Sequence, residues 1–221
     1  MLNEMMYRPV VDEKVLEFLR LGQNQLTGDL KELEEEAHEQ NVPIIPHETV
    51  VFLQFYLSLM APKNILEIGT AIGFSASLMA KTLPESHVTT IDRNPLMAEK
   101  AKVNIARFNL EKQITLLEGQ AADLLQTLPE KTYDFIFMDS AKAKYVEFLP
   151  ECLRVLKENG VLMIDDVLQG GTVFDDVLSI PRKNRSIHRK LNELFQVVHE
   201  DKNLMSSIIP LGDGIMLLKK K

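Results

Sequence analysis

Three carboxylates close two apolar runs of this chain: Asp139 follows residues 135–138, and Asp165 with Asp166 follows residues 161–164. Oxygen-only ligands at two neighbouring strand ends suit a hard divalent cation such as Mg²⁺, Mn²⁺ or Ca²⁺, and ligand type and availability make Mg²⁺ the expected one. Upstream, Glu67-Ile-Gly-Thr-Ala-Ile-Gly73 has the composition of a nucleotide-type cofactor loop, in which Gly69 and Gly73 let the backbone turn tightly and approach a ligand. Its spacing is Gly-x-x-x-Gly, not Gly-x-Gly-x-x-Gly, which disfavours a pyrophosphate-binding loop. Asp92, nineteen residues beyond Gly73, ends another apolar run, where an acid can accept hydrogen bonds from both ribose hydroxyls. Taken singly, Glu67 and Asp92 read as ordinary strand-end polar residues; with the loop between them they read as a cofactor site. Lys142, three residues after Asp139, could take a hydroxyl proton if a nearby cation depressed its pKa, or could stabilise the oxyanion. The plain alternatives are a solvated lysine in a first helical turn and, for Asp139, a helix N-cap.

A mostly parallel sheet covered on both faces would position these groups, because ligands collect outside the carboxyl ends of its strands. Strands are predicted at 64–68, 88–91, 114–117, 135–138 and 161–164, with helices between them at 74–82, 95–109, 121–128 and 145–158. Two more strands, 205–209 and 215–218, are joined through Leu211-Gly212-Asp213-Gly214, whose Asp-Gly step signals a turn and an antiparallel hairpin at one sheet edge. Before the sheet, a polar helical pattern over 12–40 breaks at Gly22 and Gly28, and a helix runs from His47 to about Met60, ended by Pro62. The expectation is a Rossmann-like α/β fold in one domain over residues 1–221, with 1–42 a helical N-terminal extension.

The 221 residues are 45% hydrophobic and 26% charged, enough for one full core. Cys152 is the only cysteine, which excludes a disulfide framework and a thiolate metal cluster and points to a small buried side chain. There is no signal-peptide core near the N-terminus and no apolar run long enough to span a membrane, so a cytoplasmic protein without membrane contact is expected. A formal charge of −7 argues against indiscriminate adhesion to nucleic acid and leaves room for a local basic patch. His47 and His188 read as surface or capping residues.

The arrangement resembles the class I S-adenosylmethionine-dependent methyltransferases, whose cofactor loop and ribose acid match Glu67-x-Gly69-x-x-x-Gly73-x-Ser75 and Asp92. More narrowly, Met138-Asp139-Ser140-Ala141-Lys142 followed by Ile164-Asp165-Asp166-Val167-Leu168 is similar to the metal-dependent O-methyltransferases of the caffeoyl-CoA and catechol type. The resemblance implies S-adenosyl-L-methionine contacts at Ile45, Glu67, Gly69, Ser75, Asp92, Gln120, Ala121 and Asp139, and metal ligation by Asp139, Asp165 and Asp166. It also implies a catalytic role for Lys142 beside Asp139, and a homodimer. At Asp166 such enzymes commonly carry Asn; the extra carboxylate either joins the metal or points away and leaves its place to a carbonyl or water. Within the family, Leu66-Glu67-Ile68-Gly69-Thr70-Ala71-Ile72-Gly73, Val42-Pro43-Ile44 and Ile208-Ile209-Pro210-Leu211-Gly212-Asp213-Gly214 resemble the bacterial tRNA 5-hydroxyuridine methyltransferases, which make 5-methoxyuridine at the wobble position.

The chemistry is consistent with either substrate class. Methyl transfer from a sulfonium needs an oxygen nucleophile held in line, and a hydroxyl beside a second oxygen can chelate one cation that both acidifies and orients it. A catechol and 5-hydroxyuridine, with its adjacent 4-carbonyl, both qualify. The discriminating feature is the basic island 181–190: on a helix Arg182, Arg185 and Arg189 would share one face, suited to anticodon-loop phosphates, opposite an apolar face of Ile187, Leu191 and Leu194. The alternatives are an O-methyltransferase of small catechol-like molecules, with the basic run merely solvated, and an RNA-binding protein that keeps the fold without catalysis.

Overall fold

The computed structural model describes residues 11–221. Seven strands form one sheet, β1 (Asn64–Ile68), β2 (His87–Asp92), β3 (Ile114–Glu118), β4 (Tyr133–Met138), β5 (Leu156–Ile164), β6 (Leu204–Ile209) and β7 (Ile215–Lys220), in the order β3-β2-β1-β4-β5-β7-β6. The first five are parallel, and β7 runs antiparallel to both β5 and β6, as the Asp-Gly turn predicts. Eight helices accompany the sheet among the described residues: α1 (Glu13–Leu21), α2 (Asp29–Glu39), α3 (His47–Met60), α4 (Phe74–Thr82), α5 (Pro95–Arg107), α6 (Ala121–Thr127), α7 (Tyr145–Val155) and α8 (Arg185–Glu200). None is long and apolar enough to cross a membrane.

The central strands are apolar because both of their faces are covered. Phe135 and Phe137 of β4 enter one hydrophobic cluster together with α2, α3 and α4, whereas Ile136 and Met138 enter the other with α7 and α8. Cys152 lies fully buried in α7. Its thiol is pushed up to about 12 by that burial, so it is a small apolar filler.

Within the helical extension expected over 1–42, residues 1–10 lie outside the described residues. The remainder divides in two. Helix α2 belongs to the core, with Leu30, Leu33 and Ala37 buried against it. Helix α1 buries no residue and leaves Val15, Phe18 and Leu21 exposed. It is held by Arg20, whose guanidinium donates to both carboxylate oxygens of the buried Glu48 at 2.9–3.2 Å.

Helix α7 is shorter than the predicted 145–158. It stops at Val155, and residues 156–158 already belong to β5, where Leu156 pairs with Tyr133. Helical spacing does not distinguish those last residues from a helix's final turn; the buried Leu156 and the left-handed Asn159 (φ 65°) decide it.

Candidate active site

The acidic groups stand at one level because the strands are in register. Ile68 pairs with Met138, and Met138 with Ile164. The ladder continues one residue further: the Asp139 amide donates to Ile68 O and the Asp165 amide to Met138 O, both at 3.0 Å. Gly69, Asp139 and Asp165 therefore leave the sheet side by side at the carboxyl ends of β1, β4 and β5.

Gly69 adopts φ 110°, and a Cβ built there would fall 1.8 Å from the Asp139 carbonyl oxygen. Besides the tight turn expected of it, this glycine accommodates the neighbouring strand end. Gly73 (φ 82°) caps α4, and its nearest neighbour, Ala101 Cβ at 3.4 Å, would be in ordinary contact with a side chain. Asp92 helps to shape the same loop, accepting from the Ala71 amide through Oδ2 and from the Asn94 amide through Oδ1, each at 2.8 Å.

Glu67 is fully buried next to its register partner Thr90, whose hydroxyl donates to Glu67 Oε2 at 2.5 Å. Oε1 makes no hydrogen bond. Burial pushes the Glu67 carboxyl up to about 8 from an ordinary 4.5, against the opposing pull of the Ser75 and Thr90 hydroxyls and with help from Asp139 and Asp92. A buried acid with one unpartnered oxygen, a left-handed glycine loop and a strand-end Asp fit a ligand that brings an ammonium and a ribose. Ser75 lies in the first turn of α4, Ile45 is buried in the segment before α3, and Gln120 and Ala121 form the start of α6.

A pH dependence follows from Glu67. Between its unfolded value near 4.5 and its folded value near 8, the native protein holds a proton that the unfolded chain has released, so this contribution to stability is present below 4.5 and lost as pH rises through 8. Asp139 acts in the same sense. The cofactor-free protein should lose thermal stability as pH rises across that window. Glu67→Gln, neutral throughout, should flatten the slope; an unchanged slope in calorimetric melts of that variant would refute the assignment.

Asp139, Asp165 and Asp166 lie near enough to one another for their charges to repel. Burial, then repulsion from Asp166, pushes Asp139 up to about 7, against the pull of Lys142. Burial and the Asp166 and Asp139 charges hold Asp165 well above the ordinary carboxylate range. Asp166 sits at φ 60°, a conformation that Asp and Asn tolerate better than other side chains. Its carboxylate accepts from Lys142 Nζ at 3.1 Å. Among the described residues no three His, Cys, Asp or Glu side chains are drawn together as a metal cage. Their donor chemistry nonetheless fits a hard cation, which would relieve the mutual repulsion of three carboxylates.

Lys142 is neither solvated nor part of an Asp139-capped helix. It opens a short 3-10 turn, Lys142–Lys144, whose N-cap is Ala141. Its side chain, 14% exposed, lies between Asp166 and Asp213, with Nζ 2.9 Å from Asp213 Oδ2. Burial would lower its pKa, but the Asp166 and Asp213 carboxylates outweigh burial and hold the ammonium above the usual lysine range. Asp213 was missed from the sequence because its Asp-Gly step already accounts for it as a turn residue.

The basic island divides. Arg182 and Lys183 lie exposed in a 3-10 turn, Arg182–Asn184, ahead of α8, so Arg182 is not on the helix as predicted. Arg185 opens α8, but its guanidinium donates to the Leu178 and Ile180 carbonyls at 3.0 and 2.9 Å, binding the preceding loop. Arg189 is exposed. The apolar face is as predicted: Leu191 and Leu194 are fully buried and Ile187 is partly so. His188 also joins that face, buried with Nε2 3.0 Å from Asp175 O, and is not a surface residue.

This strand order, with an acid-flanked glycine loop where the order reverses, defines a Rossmann-like methyltransferase fold of class I. The profile of the O-methyltransferase family matches residues 23–221, and the chain belongs to that family. A catechol O-methyltransferase of Niastella koreensis is 36% identical over 129 residues, 57% of this chain and 58% of that protein, so that match spans little more than half of either. Caffeoyl-CoA O-methyltransferase 2 of Populus trichocarpa is 30% identical over 200 residues, 86% of this chain and 81% of its own. Among solved structures, one from Staphylococcus aureus, provisionally assigned as a caffeoyl-CoA O-methyltransferase, superposes with a TM-score of 0.84 at 32% identity, covering 94% of this chain and 98% of that one.

Proposed function

We propose that the chain is an S-adenosylmethionine-dependent O-methyltransferase acting on a hydroxyl with an adjacent oxygen, and that its acceptor is 5-hydroxyuridine at the tRNA wobble position. The observation that carries the chemistry is the convergence of Asp139, Asp165, Asp166 and Lys142 beside the Glu67–Gly73 loop.

Bound S-adenosylmethionine would supply the methyl group, held by Glu67 and Ser75 at its amino-acid end, by Asp92 at its ribose and by Gln120 and Ala121 near its base. A bound cation, Mg²⁺ or another hard divalent ion held by Asp139, Asp165 and Asp166, would acidify and orient the acceptor hydroxyl. Lys142, kept protonated by two carboxylates, faces the acceptor as a cation and stabilises its oxyanion; the ion pairs argue against a general base. An ammonium has three N–H donors, and with Asp166 and Asp213 taking two, one is left for the acceptor oxygen.

Arg182, Lys183 and Arg189, exposed near the start of α8, support the tRNA reading, since phosphate contacts come from unpaired surface cations. The names of the relatives favour a second reading, small catechol-like acceptors. Replacing Arg182 and Arg189 together by Gln separates them. Methylation of tRNA containing 5-hydroxyuridine should fall about tenfold or more and lose part of its salt dependence, with catechol methylation unchanged. Equal effects on both acceptors would refute the docking role, and labelling of catechol alone by the parent protein would establish the second reading. Arg185, already engaged, should alter stability more than tRNA methylation.

A further inference from the structure

We propose that Asp213 is a positioning residue of the methyl-transfer site, fixing Lys142 with one carboxylate oxygen and the loop 168–171 that follows Asp165 and Asp166 with the other. The inference rests on the preceding reading in assigning Lys142 to the acceptor oxygen.

Asp213 Oδ2 accepts from Lys142 Nζ at 2.9 Å, and Oδ1 accepts from the Gly170 amide. The Asp213 side chain is 6% exposed, so both bonds are made largely out of water, where they are stronger. Its backbone belongs to the same junction: the Leu168 amide donates to Asp213 O at 2.8 Å and the Val167 amide to Gly214 O at 3.0 Å. The fit is close enough that a Cβ at Gly214 (φ 89°) would lie 2.3 Å from Leu168 Cγ. On its other side the turn touches the segment leading into α3, where a Cβ on Gly212 would lie 3.0 Å from Thr49 Oγ1 and 3.2 Å from Pro46 Cγ.

The turn between β6 and β7 thus joins three parts of the site that are far apart in sequence: the segment around Ile45, the Lys142 ammonium, and the loop following Asp165 and Asp166. The loop needs such an anchor. Asp166, Gln169, Gly170 and Gly171 all have positive φ, a conformation that neither a helix nor a strand would hold in place. Lys142 needs one too. A lysine side chain has four rotatable bonds, and pairing with Asp166 alone would leave the ammonium to follow that residue into its contact with the cation. With Asp213 as the second anchor, the remaining N–H is aimed at a fixed point.

The test compares Asp213→Asn, which is isosteric and neutral, with Asp213→Ala and Asp213→Glu. Three measurements are made on each full-length protein: amide hydrogen exchange over 167–173, acylation of Lys142 by an N-hydroxysuccinimide ester followed by mass spectrometry, and steady-state methyl transfer. Loss of the carboxylate should raise Lys142 labelling several-fold in both Asn and Ala variants and speed exchange at Gly170 in the Ala variant, since the Asn oxygen can still accept from the Gly170 amide. It should lower kcat on the order of 10²-fold, with KM for S-adenosylmethionine little changed, as expected when a reacting geometry is loosened by about 1 Å. Asp213→Glu should restore part of kcat. Unchanged labelling in Asp213→Asn, or unchanged exchange at Gly170 in Asp213→Ala, would overturn the proposal, as would a loss confined to cofactor KM. If exchange and labelling respond but the parent protein methylates neither tRNA nor catechol, the anchoring role stands and the substrate reading fails.

Discussion

Asp139→Asn should abolish chelator-sensitive methyl transfer, lowering kcat/KM by at least about 10²-fold, while leaving the fold intact. The side chain and the backbone of Asp139 do different things. Its amide closes the β1–β4 ladder on Ile68 and its carbonyl lies against Gly69, and neither contact changes in the variant. The carboxylate, buried among Asp165, Asp166 and Lys142, is lost. Asp139 is pushed up to about 7 by burial and by Asp166, so above that pH removing its charge relieves repulsion, and the cofactor-free variant should be as stable as the parent or more so. A variant that melts at the parent temperature and still methylates at the parent rate with Mg²⁺ would end the metal-site reading. Titration calorimetry with Mn²⁺ on both proteins gives the direct comparison.

Gly69→Ala should be the most damaging single methyl addition in the loop. The new Cβ would meet the Asp139 carbonyl oxygen at 1.8 Å, with backbone on both sides of the contact, and φ 110° is itself costly for a residue with a side chain. Strain and overpacking together give about 3 kcal/mol or more. For a chain of this size that corresponds to a fall of roughly 6–12 °C in melting temperature. Gly73→Ala is the control: it shares positive φ but meets only Ala101 Cβ at 3.4 Å, and should cost about 1 kcal/mol. Equal melting temperatures for the two variants would show that the β1 loop yields freely and that the contact with Asp139 is not what requires glycine.

The parts of this protein that could be read from sequence are those governed by local periodicity or by a change of polarity. Strand β1 and helix α4 have their predicted ends, because Pro62, Gly69 and Gly73 punctuate them and their apolar runs are unbroken. The strand-end acids were legible for the same reason, a carboxylate directly after an apolar run. What could not be read depends on the third dimension. The Asp-Gly pair at 213–214 has a sufficient local explanation, and nothing in its neighbourhood signals a lysine 71 residues away. Arg182 and Arg185 are three apart, as helical neighbours should be, but the helix starts at Arg185, and carbonyls at 178 and 180 take up that guanidinium before any partner could. From the sequence Gly69 is expected to turn the backbone and approach a ligand; the approach of the Asp139 carbonyl could not be read there, since it depends on how β1 and β4 lie together.

The row Ile68, Met138, Ile164 and Met216, paired across four adjacent strands, leaves this site little room for gradual change. Side chains alternate between faces, so a shift of one residue in β4 or β5 would carry its acid out of the cluster, and no intermediate offset exists. Distances among the reacting groups are therefore quantised by the strands. Variation in what the enzyme accepts must come from segments outside the ladder, such as residues 42–46, the loop 168–184 and the exposed helix α1, which can lengthen, shorten or change sequence while the acids keep their spacing.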